Sequence, residues 1–357
     1  MSLRHKYKYY KFQIKRFIKR FILSPYATPR KFVNMLLLTL QYATIKPAKV
    51  IGYPLKLTID PTNVCQLRCP LCPTGQRRRG RKKGYMKFSE FKKIVDEMAP
   101  YLYEIDLNNW GEPFLNKEIF KMIEYAHSKK IWLSVNTNFN VPLTEKQAER
   151  LVKSGLDQLY LSIDGITQKT YEKYRVGGKL KTVIENIKLI NKKKKELNSE
   201  TPRIVWQFLV NRYNEHEVPK LKEFQHKYGI DKLVIGALRT SMADEIFLED
   251  REKIELIKDW LPKNEKFSRY DYRKKERKLK KKYCHFLWFV SVINWNGSVS
   301  PCCGVYFEKY DFGNALKEGF KKVWNNEKYQ AARNAVARRK YKIETVCVNC
   351  LRTGFMD

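Results

Sequence analysis

Apolar and polar residues follow two different periods between residues 54 and 240. Six short apolar runs predict strands at 55–60, 103–108, 131–136, 158–163, 203–210 and 232–236. Longer stretches between them repeat apolar residues at helical spacing and predict helices at 89–98, 117–129, 144–153, 180–197 and 215–228. Ser89 and Thr144 are suitable N-caps for two of these helices. Strands that alternate with helices predict an α/β fold of parallel βαβ units with right-handed crossovers.

Six such units predict a partial (β/α)6 barrel, because the closed barrel needs eight. In folds of this kind the chemistry lies at the carboxyl ends of the strands. We divide the chain into a basic amphipathic N-terminal helical segment (1–53), the core (54–240), a linker (241–283) and a small C-terminal domain (284–357). The linker is expected to contain one helix at 250–260 and a basic run at 273–282.

The charge of the chain is unusual for a globular protein. Its 72 Lys and Arg outnumber its 37 Asp and Glu, which gives a formal net charge of +35 over 357 residues. Such a charge attracts polyanions: nucleic acid, anionic lipid headgroups or phosphorylated substrates. A general bias toward Lys would give the same total without any such partner.

The N-terminal segment is the most basic part of the chain, since residues 1–53 contain twelve Lys and Arg and no Asp or Glu. Aromatic rings and cations interleave at 12–21, and residues 31–45 are more apolar. No run approaches the ~20 apolar residues that a membrane-spanning helix needs. The segment therefore suits peripheral contact with an anionic membrane or, alternatively, covers the bottom of the core. No secretory signal is evident, so we expect a cytoplasmic protein with peripheral contact to the inner membrane face.

The eight cysteines fall into two groups. Cys65, Cys69 and Cys72 stand at C-x3-C-x2-C spacing directly after the first predicted strand, and the other five lie between residues 284 and 350. Clustered cysteines in an intracellular chain indicate metal binding rather than disulfides. Three thiolates in one short loop can ligate three irons of a cubane iron–sulfur cluster and leave the fourth iron open for a small molecule. A structural zinc knuckle is the alternative.

Three further motifs lie at or after the ends of predicted strands. Together with the cysteine loop they resemble one enzyme family. The stretch Asn109-Trp110-Gly111-Glu112-Pro113 follows the second strand, Ser162-Ile163-Asp164-Gly165 closes the fourth, and Arg175 lies eleven residues beyond Asp164. Together with the C-x3-C-x2-C loop they resemble the radical S-adenosylmethionine (SAM) enzymes, whose corresponding elements read G-G-E-P and S-x-D-G. The chain departs from the family at Trp110, which replaces the first glycine, and at Leu71, where many members have an aromatic residue.

The resemblance implies that a [4Fe–4S] cluster on Cys65, Cys69 and Cys72 binds SAM and cleaves it reductively. The resulting 5′-deoxyadenosyl radical would remove hydrogen from a substrate, and a reductant such as ferredoxin or flavodoxin would supply the electron. The residues implied to bind SAM are Gly111, Glu112, Pro113, Asn138, Ser162, Asp164 and Arg175. A guanidinium suits the SAM carboxylate because it binds carboxylates in a bidentate manner, and a surface ion pair is the alternative for Arg175.

The C-terminal cysteines resemble the SPASM/twitch extension of the same family. Cys284, Gly297, Cys302 and the pair Cys347-x2-Cys350 match its spacing, whereas the intervening cysteines of a full SPASM domain are missing. The resemblance therefore implies one auxiliary [4Fe–4S] cluster on Cys284, Cys302, Cys347 and Cys350, with zinc on the same ligands as the alternative. Cys303 is left over: it packs beside the cluster, replaces Cys302 as a ligand, or acts as a catalytic thiol that donates a hydrogen atom to a substrate radical.

A basic loop completes the predicted site. Residues 77–83 contain six cations and follow the cluster loop closely, so Arg77, Arg78 and Arg79 are expected over the open mouth of the barrel. There they would select an anionic substrate, although a solvated loop is the alternative.

We therefore expect a radical SAM oxidoreductase or transferase-type enzyme that acts on a phosphorylated or lipid-linked substrate by dehydrogenation, epimerisation or C–C bond formation. One alternative is a peptide-modifying radical SAM/SPASM maturase. A second, from another class, is a non-catalytic protein that binds zinc and nucleic acid, in which the cations contact phosphates.

Overall fold

The structure is a computed structural model that describes residues 23–238, 249–278 and 284–352. The aromatic and basic run predicted at 12–21 and the last residues of the basic run at 273–282 lie outside the described residues.

Six parallel strands form the core and adjoin one another in chain order. They are β1 (Lys56–Ile59), β2 (Glu104–Leu107), β3 (Trp132–Thr137), β4 (Gln158–Ser162), β5 (Arg203–Val210) and β6 (Lys232–Ala237). Every neighbouring pair is parallel. The structure thus confirms the six predicted strands and the α/β class with a parallel sheet.

Helix α1 precedes the core, and six helices connect its strands. Their bounds are α1 (Pro29–Thr44), α2 (Phe88–Met98), α3 (Ile119–Ser128), α4 (Glu145–Lys153), α5 (Gln168–Tyr174), α6 (Leu180–Glu196) and α7 (Leu221–Lys227). A 3-10 turn, Glu215–Lys220, directly precedes α7. The pattern did not predict α5, whose seven residues are too few for a clear apolar period.

The predicted N-caps had different outcomes. Thr144 caps α4, because its hydroxyl accepts the Gln147 N–H at 3.2 Å while the Gln147 side chain accepts the Thr144 N–H at 2.9 Å. The prediction for Ser89 is wrong. Helix α2 begins one residue earlier, at Phe88, and Lys87 takes the cap position because its N–H is bound by the Glu90 carboxylate at 2.8 Å.

The C-terminal part adds three strands to the same sheet. Strand β9 (Val290–Ile293) pairs in parallel with β1, and β10 (Ser298–Ser300) and β11 (Gly313–Asn314) follow as antiparallel strands. The other elements of this half are α8 (Asp250–Ile257), the hairpin β7 (Tyr270–Asp271) and β8 (Glu276–Arg277), α9 (Phe286–Phe289), α10 (Ala315–Glu318), α11 (Phe320–Trp324), α12 (Glu327–Val336) and α13 (Val346–Arg352). The C-terminal cysteines are therefore anchored next to the first core strand.

The two faces of the core sheet differ in polarity. Alternate residues such as Leu57, Ile105 and Leu133 are fully buried in the main apolar core together with residues of the covering helices. The opposite face carries polar side chains at the intervening positions, namely Lys56, Thr58, Glu104, Asp106, Ser134 and Asn136. The sheet thus offers a polar surface on the side away from its apolar core.

The region predicted as a linker packs on the cysteine loop. Ile257, Leu261 and Tyr270 form one apolar cluster with residues of that loop, including Leu67 and Leu71. Within the described residues, no helix is both long enough and apolar enough to cross a membrane.

Candidate active site

The three-cysteine loop begins directly after β1, at the carboxyl edge of the sheet. The Asn63 side chain holds the base of this loop by donating to the Lys82 carbonyl at 2.7 Å and accepting the Gly84 N–H at 3.0 Å. The loop also contacts the turn after β2, because the Glu112 N–H donates to the Val64 carbonyl at 2.9 Å. Gly111 allows this contact, since a Cβ there would stand 1.9 Å from the Thr62 carbonyl oxygen.

Nitrogen donors point at two of the three sulfurs. The Asn138 side-chain amide lies 3.6 Å from Cys65 Sγ, and Arg175 Nη1 lies 3.8 Å from Cys69 Sγ. Burial raises the pKa of Cys65 to about 12, and it also raises the pKa of Cys69, where the Arg175 charge opposes the shift. A bound metal reverses this preference because it holds the thiolate form, so buried sulfurs with N–H donors suit an iron–sulfur cluster.

Glu112 is a buried carboxylate beside this loop. It accepts the Thr137 hydroxyl at 2.6 Å, the Asn138 N–H at 2.8 Å and the Phe114 N–H at 3.1 Å. Burial nevertheless raises its pKa to about 7, with these hydrogen bonds opposing the shift. Pro113 is buried and begins the short 3-10 turn that follows Glu112. A carboxylate held in this way would be stabilised in its charged form by a cationic group of a ligand.

Arg175 is fixed by Asp164 through a buried ion pair. Arg175 Nε donates to Asp164 Oδ2 at 2.6 Å, and Asp164 Oδ1 accepts the Leu209 N–H at 2.8 Å. Asp164 is fully buried, so both of its oxygens are used within the protein. Ser162 is the last residue of β4 and lies two residues before Asp164. Its hydroxyl donates to the Asn136 amide oxygen at 2.9 Å. Asp164 therefore acts on Arg175, which in turn reaches Cys69.

Four of the C-terminal cysteines meet in one cavity. Its lining consists of Cys284, Cys302, Cys347 and Cys350 together with the apolar residues Phe286, Leu287, Pro301, Val336 and Val346. Burial raises the pKa of Cys302 and of Cys347 well above the usual range. Among the described residues, no group of three or more His, Cys, Asp or Glu side chains surrounds the position of a single metal ion. The four cysteines predicted as cluster ligands all line this cavity, whereas Cys303 does not.

Comparison with known proteins agrees with this geometry. Residues 59–224 match the family model of the radical SAM superfamily, and residues 284–351 match the model of the SPASM iron-sulfur cluster-binding domain. The chain belongs to the radical SAM superfamily. Its cofactors are therefore SAM and [4Fe–4S] clusters.

Two curated relatives illustrate the range of this radical SAM family. The chain is 26% identical over 298 residues to the tungsten-containing aldehyde ferredoxin oxidoreductase cofactor-modifying protein of Pyrococcus furiosus, which covers 76% of this chain and 81% of the relative. It is also 26% identical over 228 residues to the PqqA peptide cyclase of Granulibacter bethesdensis, which covers 60% of this chain and 54% of the relative.

Solved structures share the radical SAM fold at low sequence identity. Streptococcus suis SuiB bound to the precursor peptide SuiA has a TM-score of 0.60 at 14% identity and covers 89% of this chain and 75% of that chain. Native anSMEcpe with bound AdoMet and a Cp18Cys peptide has a TM-score of 0.53 at 17% identity and covers 82% of this chain and 84% of that chain.

Cys303 of the radical SAM enzyme faces a second cavity, of about 540 Å³. This cavity also contains Lys56, Glu104 and Asp106 from the polar face of the sheet and His285. Sequence reasoning missed these strand residues, although the alternation in K-L-T-I and E-I-D-L marks one face of each strand as polar. A larger cleft of about 1170 Å³, between the ends of α6 and α7, is lined by no cysteine.

The polar residues on the sheet form two separate hydrogen-bonded groups. Lys56 Nζ lies 2.5 Å from Asp106 Oδ2, and the Ser134 hydroxyl donates to Asp106 Oδ1 at 2.6 Å. Further along, the Asn136 amide donates to Gln207 Oε1 at 3.1 Å. The first of these groups lines the cavity through Lys56 and Asp106.

The basic loop separates into exposed and buried cations. Arg77 and Arg79 are exposed, whereas Arg78 is half-buried and donates to the Gln76 side chain at 2.6 Å. Arg81 is buried in the C-terminal half, with Nη1 and Nη2 bound to Asp311 at 2.8 and 2.9 Å. Its Nε donates to the Tyr306 carbonyl at 2.6 Å. Arg81 is thus a structural contact between the two cysteine regions, which sequence reasoning had grouped with the cations at the mouth.

Proposed function

We propose that this radical SAM enzyme removes a hydrogen atom from a substrate bound on the polar face of the sheet. Cys65, Cys69 and Cys72 would hold the SAM-binding cluster. When bound, the cluster and SAM supply the 5′-deoxyadenosyl radical that attacks a C–H bond. The observation that carries the proposal is the convergence of Glu112 and Arg175 on the cysteine loop from two different strand ends.

Within this proposal, Glu112 and Arg175 orient SAM through its charged groups. The ionised Glu112 carboxylate suits an amino group, and the terminal nitrogens of Arg175 suit a carboxylate. Gly111 and Pro113 shape the turn that carries Glu112, and Asn138 lies beside Cys65 and Glu112. Asp164 acts as a positioning residue for Arg175, because its oxygens already bind Arg175 and Leu209.

We further propose that Cys284, Cys302, Cys347 and Cys350 ligate one auxiliary [4Fe–4S] cluster in the apolar cavity. Four thiolates saturate such a cluster, so the site would exchange electrons without binding a ligand. Its place beside the 540 Å³ cavity supports electron exchange with a substrate radical bound there.

The proposed substrate carries an anionic group, such as a phosphate of a small molecule or of a lipid-linked compound. Exposed Arg77 and Arg79 close to the cysteine loop support this choice. A peptide is the second candidate, because one relative is named PqqA peptide cyclase and because Glu104 and Asp106 in the cavity suit amine and amide N–H groups.

Cys303 is our candidate for a hydrogen-atom donor in an epimerisation. Its S–H bond would break as a C–H bond forms on the substrate radical, and one electron from an external reductant of the ferredoxin or flavodoxin class, together with one proton, would restore the thiol. Cys303→Ala should abolish product formation and preserve SAM cleavage, and product made by the native enzyme in D2O should contain deuterium. Unchanged product formation by Cys303→Ala would rule out this role.

The experiment that tests the proposal is anaerobic reconstitution followed by iron, sulfide and 5′-deoxyadenosine analysis. Two cubanes predict about eight irons per chain, and SAM with dithionite should yield 5′-deoxyadenosine. About four irons with SAM cleavage would remove the auxiliary cluster from the proposal. Protein without iron or SAM cleavage would overturn it in favour of a zinc and nucleic-acid-binding protein.

A further inference from the structure

Helix α1 has apolar side chains on two opposite faces. One face packs on the core through Met35 and Leu38, which are buried. On the other face Val33, Leu36 and Leu40 remain 53%, 45% and 53% exposed. These three residues follow the helical spacing of a single stripe, and a surface helix normally presents such a stripe to the core rather than to solvent.

The stripe belongs to a concentration of exposed apolar residues. Of the 15 large hydrophobic side chains that are exposed in the described residues, eight lie between residues 23 and 51. They are Leu23, Phe32, Val33, Leu36, Leu37, Leu40, Ile45 and Ile51. Apolar patches of this kind on a protein surface mark an interaction site. We call this set the α1 surface.

Cations from two distant segments meet at the C-terminal end of the α1 surface. Lys46 and Lys49 come from the segment 1–53, which has no Asp or Glu. A second group is brought there by Arg339, whose guanidinium donates to the carbonyls of Ile45 and, at 3.0 Å, of Lys46. The exposed cations of this second group are Arg338, Arg339, Lys340 and Lys342. The nearby acid Glu344 already pairs with Arg352 at 3.2 Å.

We propose that the α1 surface lies in the interface of an anionic lipid membrane. The apolar stripe would enter the boundary between headgroups and acyl chains, and the bordering cations would contact the headgroups. The helix would lie in the plane of the membrane, since its 16 residues do not form a membrane-spanning helix.

The positive charge around the α1 surface favours an anionic membrane over three other occupants: a second copy of the chain, residues 1–22 and nucleic acid. A second copy of the chain would bring two strongly basic surfaces together, which is repulsive. Residues 1–22 are equally unfavourable as a cover, because they contain eight Lys and Arg and no acid. Nucleic acid would match the cations but would leave the apolar stripe exposed to water. An anionic membrane satisfies both the apolar and the basic parts.

Vesicle sedimentation of the full chain tests this proposal. Vesicles of one part phosphatidylglycerol to two parts phosphatidylcholine should sediment the protein, and pure phosphatidylcholine vesicles should not. Leu40→Glu should reduce partitioning about tenfold, because it places a charge in the apolar stripe. Leu256→Glu is the matched control: Leu256 is a helical leucine that is 49% exposed on α8, and its substitution should have no effect.

The proposal is independent of the reaction, so 5′-deoxyadenosine formation serves as a folding control for both variants. Failure of the native chain to sediment with anionic vesicles, or equal sedimentation of Leu40→Glu, would overturn it. A dimer in light scattering that Leu40→Glu dissociates would assign the surface to a second copy instead. Salt-sensitive RNA binding that Leu40→Glu leaves intact, without vesicle binding, would assign the cations to nucleic acid.

Discussion

The two cysteine regions differ in what surrounds their sulfurs. At the first, the Asn138 and Arg175 nitrogens lie 3.6 and 3.8 Å from sulfurs, and a buried carboxylate stands nearby. At the second, the sulfurs share a cavity with Phe286, Leu287, Pro301, Val336 and Val346. Polar groups are needed where a cofactor must be bound and oriented, whereas an apolar shell excludes water from a fully ligated cluster. The surroundings of the two regions therefore support different proposed roles, SAM binding at the first and electron transfer at the second.

The largest expected effect comes from removing one ligand at each region. Cys72→Ala should abolish 5′-deoxyadenosine formation, because the SAM-binding cluster loses one of its three thiolates. Cys347→Ala should lose about four irons per chain but retain SAM cleavage. Iron content and 5′-deoxyadenosine yield, measured on both variants under anaerobic conditions, check this contrast. Loss of SAM cleavage in both variants to the same degree would remove the distinction between the two regions.

The next largest effect is expected from breaking the ion pair between Arg81 and Asp311, which joins the two cysteine regions. Arg81→Met leaves the Asp311 carboxylate buried without its guanidinium, which costs about 3–5 kcal/mol of unfolding free energy. The double variant Arg81→Met/Asp311→Leu removes both charges and should recover most of this loss. Urea unfolding of the three proteins measures the effect. If the single and double variants were equally unstable, the ion pair would not be the cause.

A buried acid behind the first region predicts a pH dependence. Burial raises the pKa of Asp60 from 3.8 to about 8, with the charge of Arg81 opposing the shift. Between these values the folded state holds a proton that the unfolded chain has released, so the unfolding free energy falls by roughly 1 kcal/mol per pH unit as pH rises. Asp60→Asn should lack this contribution.

The measurement is urea unfolding of the native and Asp60→Asn proteins at several pH values inside that window. The difference between them should shift in favour of Asp60→Asn as pH rises. The exposed Asp259→Asn is the control and should follow the native protein. A constant difference between native and Asp60→Asn protein would contradict the raised pKa.

The smallest expected effect concerns the exposed cations at the edge of the first region. Arg77→Gln/Arg79→Gln should weaken the binding of pyrophosphate, a phosphorylated probe, by roughly fivefold, since each exposed ion pair contributes up to about 1 kcal/mol. It should raise KM for an anionic substrate more than it lowers kcat. Calorimetry checks the first effect, with Lys181→Gln/Lys222→Gln as a variant of equal charge. If both double variants lost the same affinity for pyrophosphate, the loss would come from the lower net charge of the protein and not from Arg77 and Arg79.

Short-range features of this protein could be predicted from the sequence. The six core strands appear where the apolar runs stand, and Thr144 begins α4 as its side chain suggests. Side-chain alternation and helix capping act over a few residues, so the sequence contains all the information they need. The same holds for Cys65, Cys69 and Cys72, because they lie within eight consecutive residues and therefore stay close to one another. The radical SAM family followed from these motifs and is confirmed by the family models.

Long-range partners were decided by the tertiary structure. Strand β9 pairs with β1, which is far from it in the sequence. Arg81 and Asp311 form an ion pair although they are 230 positions apart. Neither contact leaves a local signal in the sequence. Arg81 and Arg79 stand two positions apart in one basic run, yet one is buried and the other exposed. Cys302 and Cys303 likewise face different cavities. The type of a residue determines which interactions it can make. Its burial, and therefore the energy of its charge or thiol, depends on which distant element of the chain covers that residue.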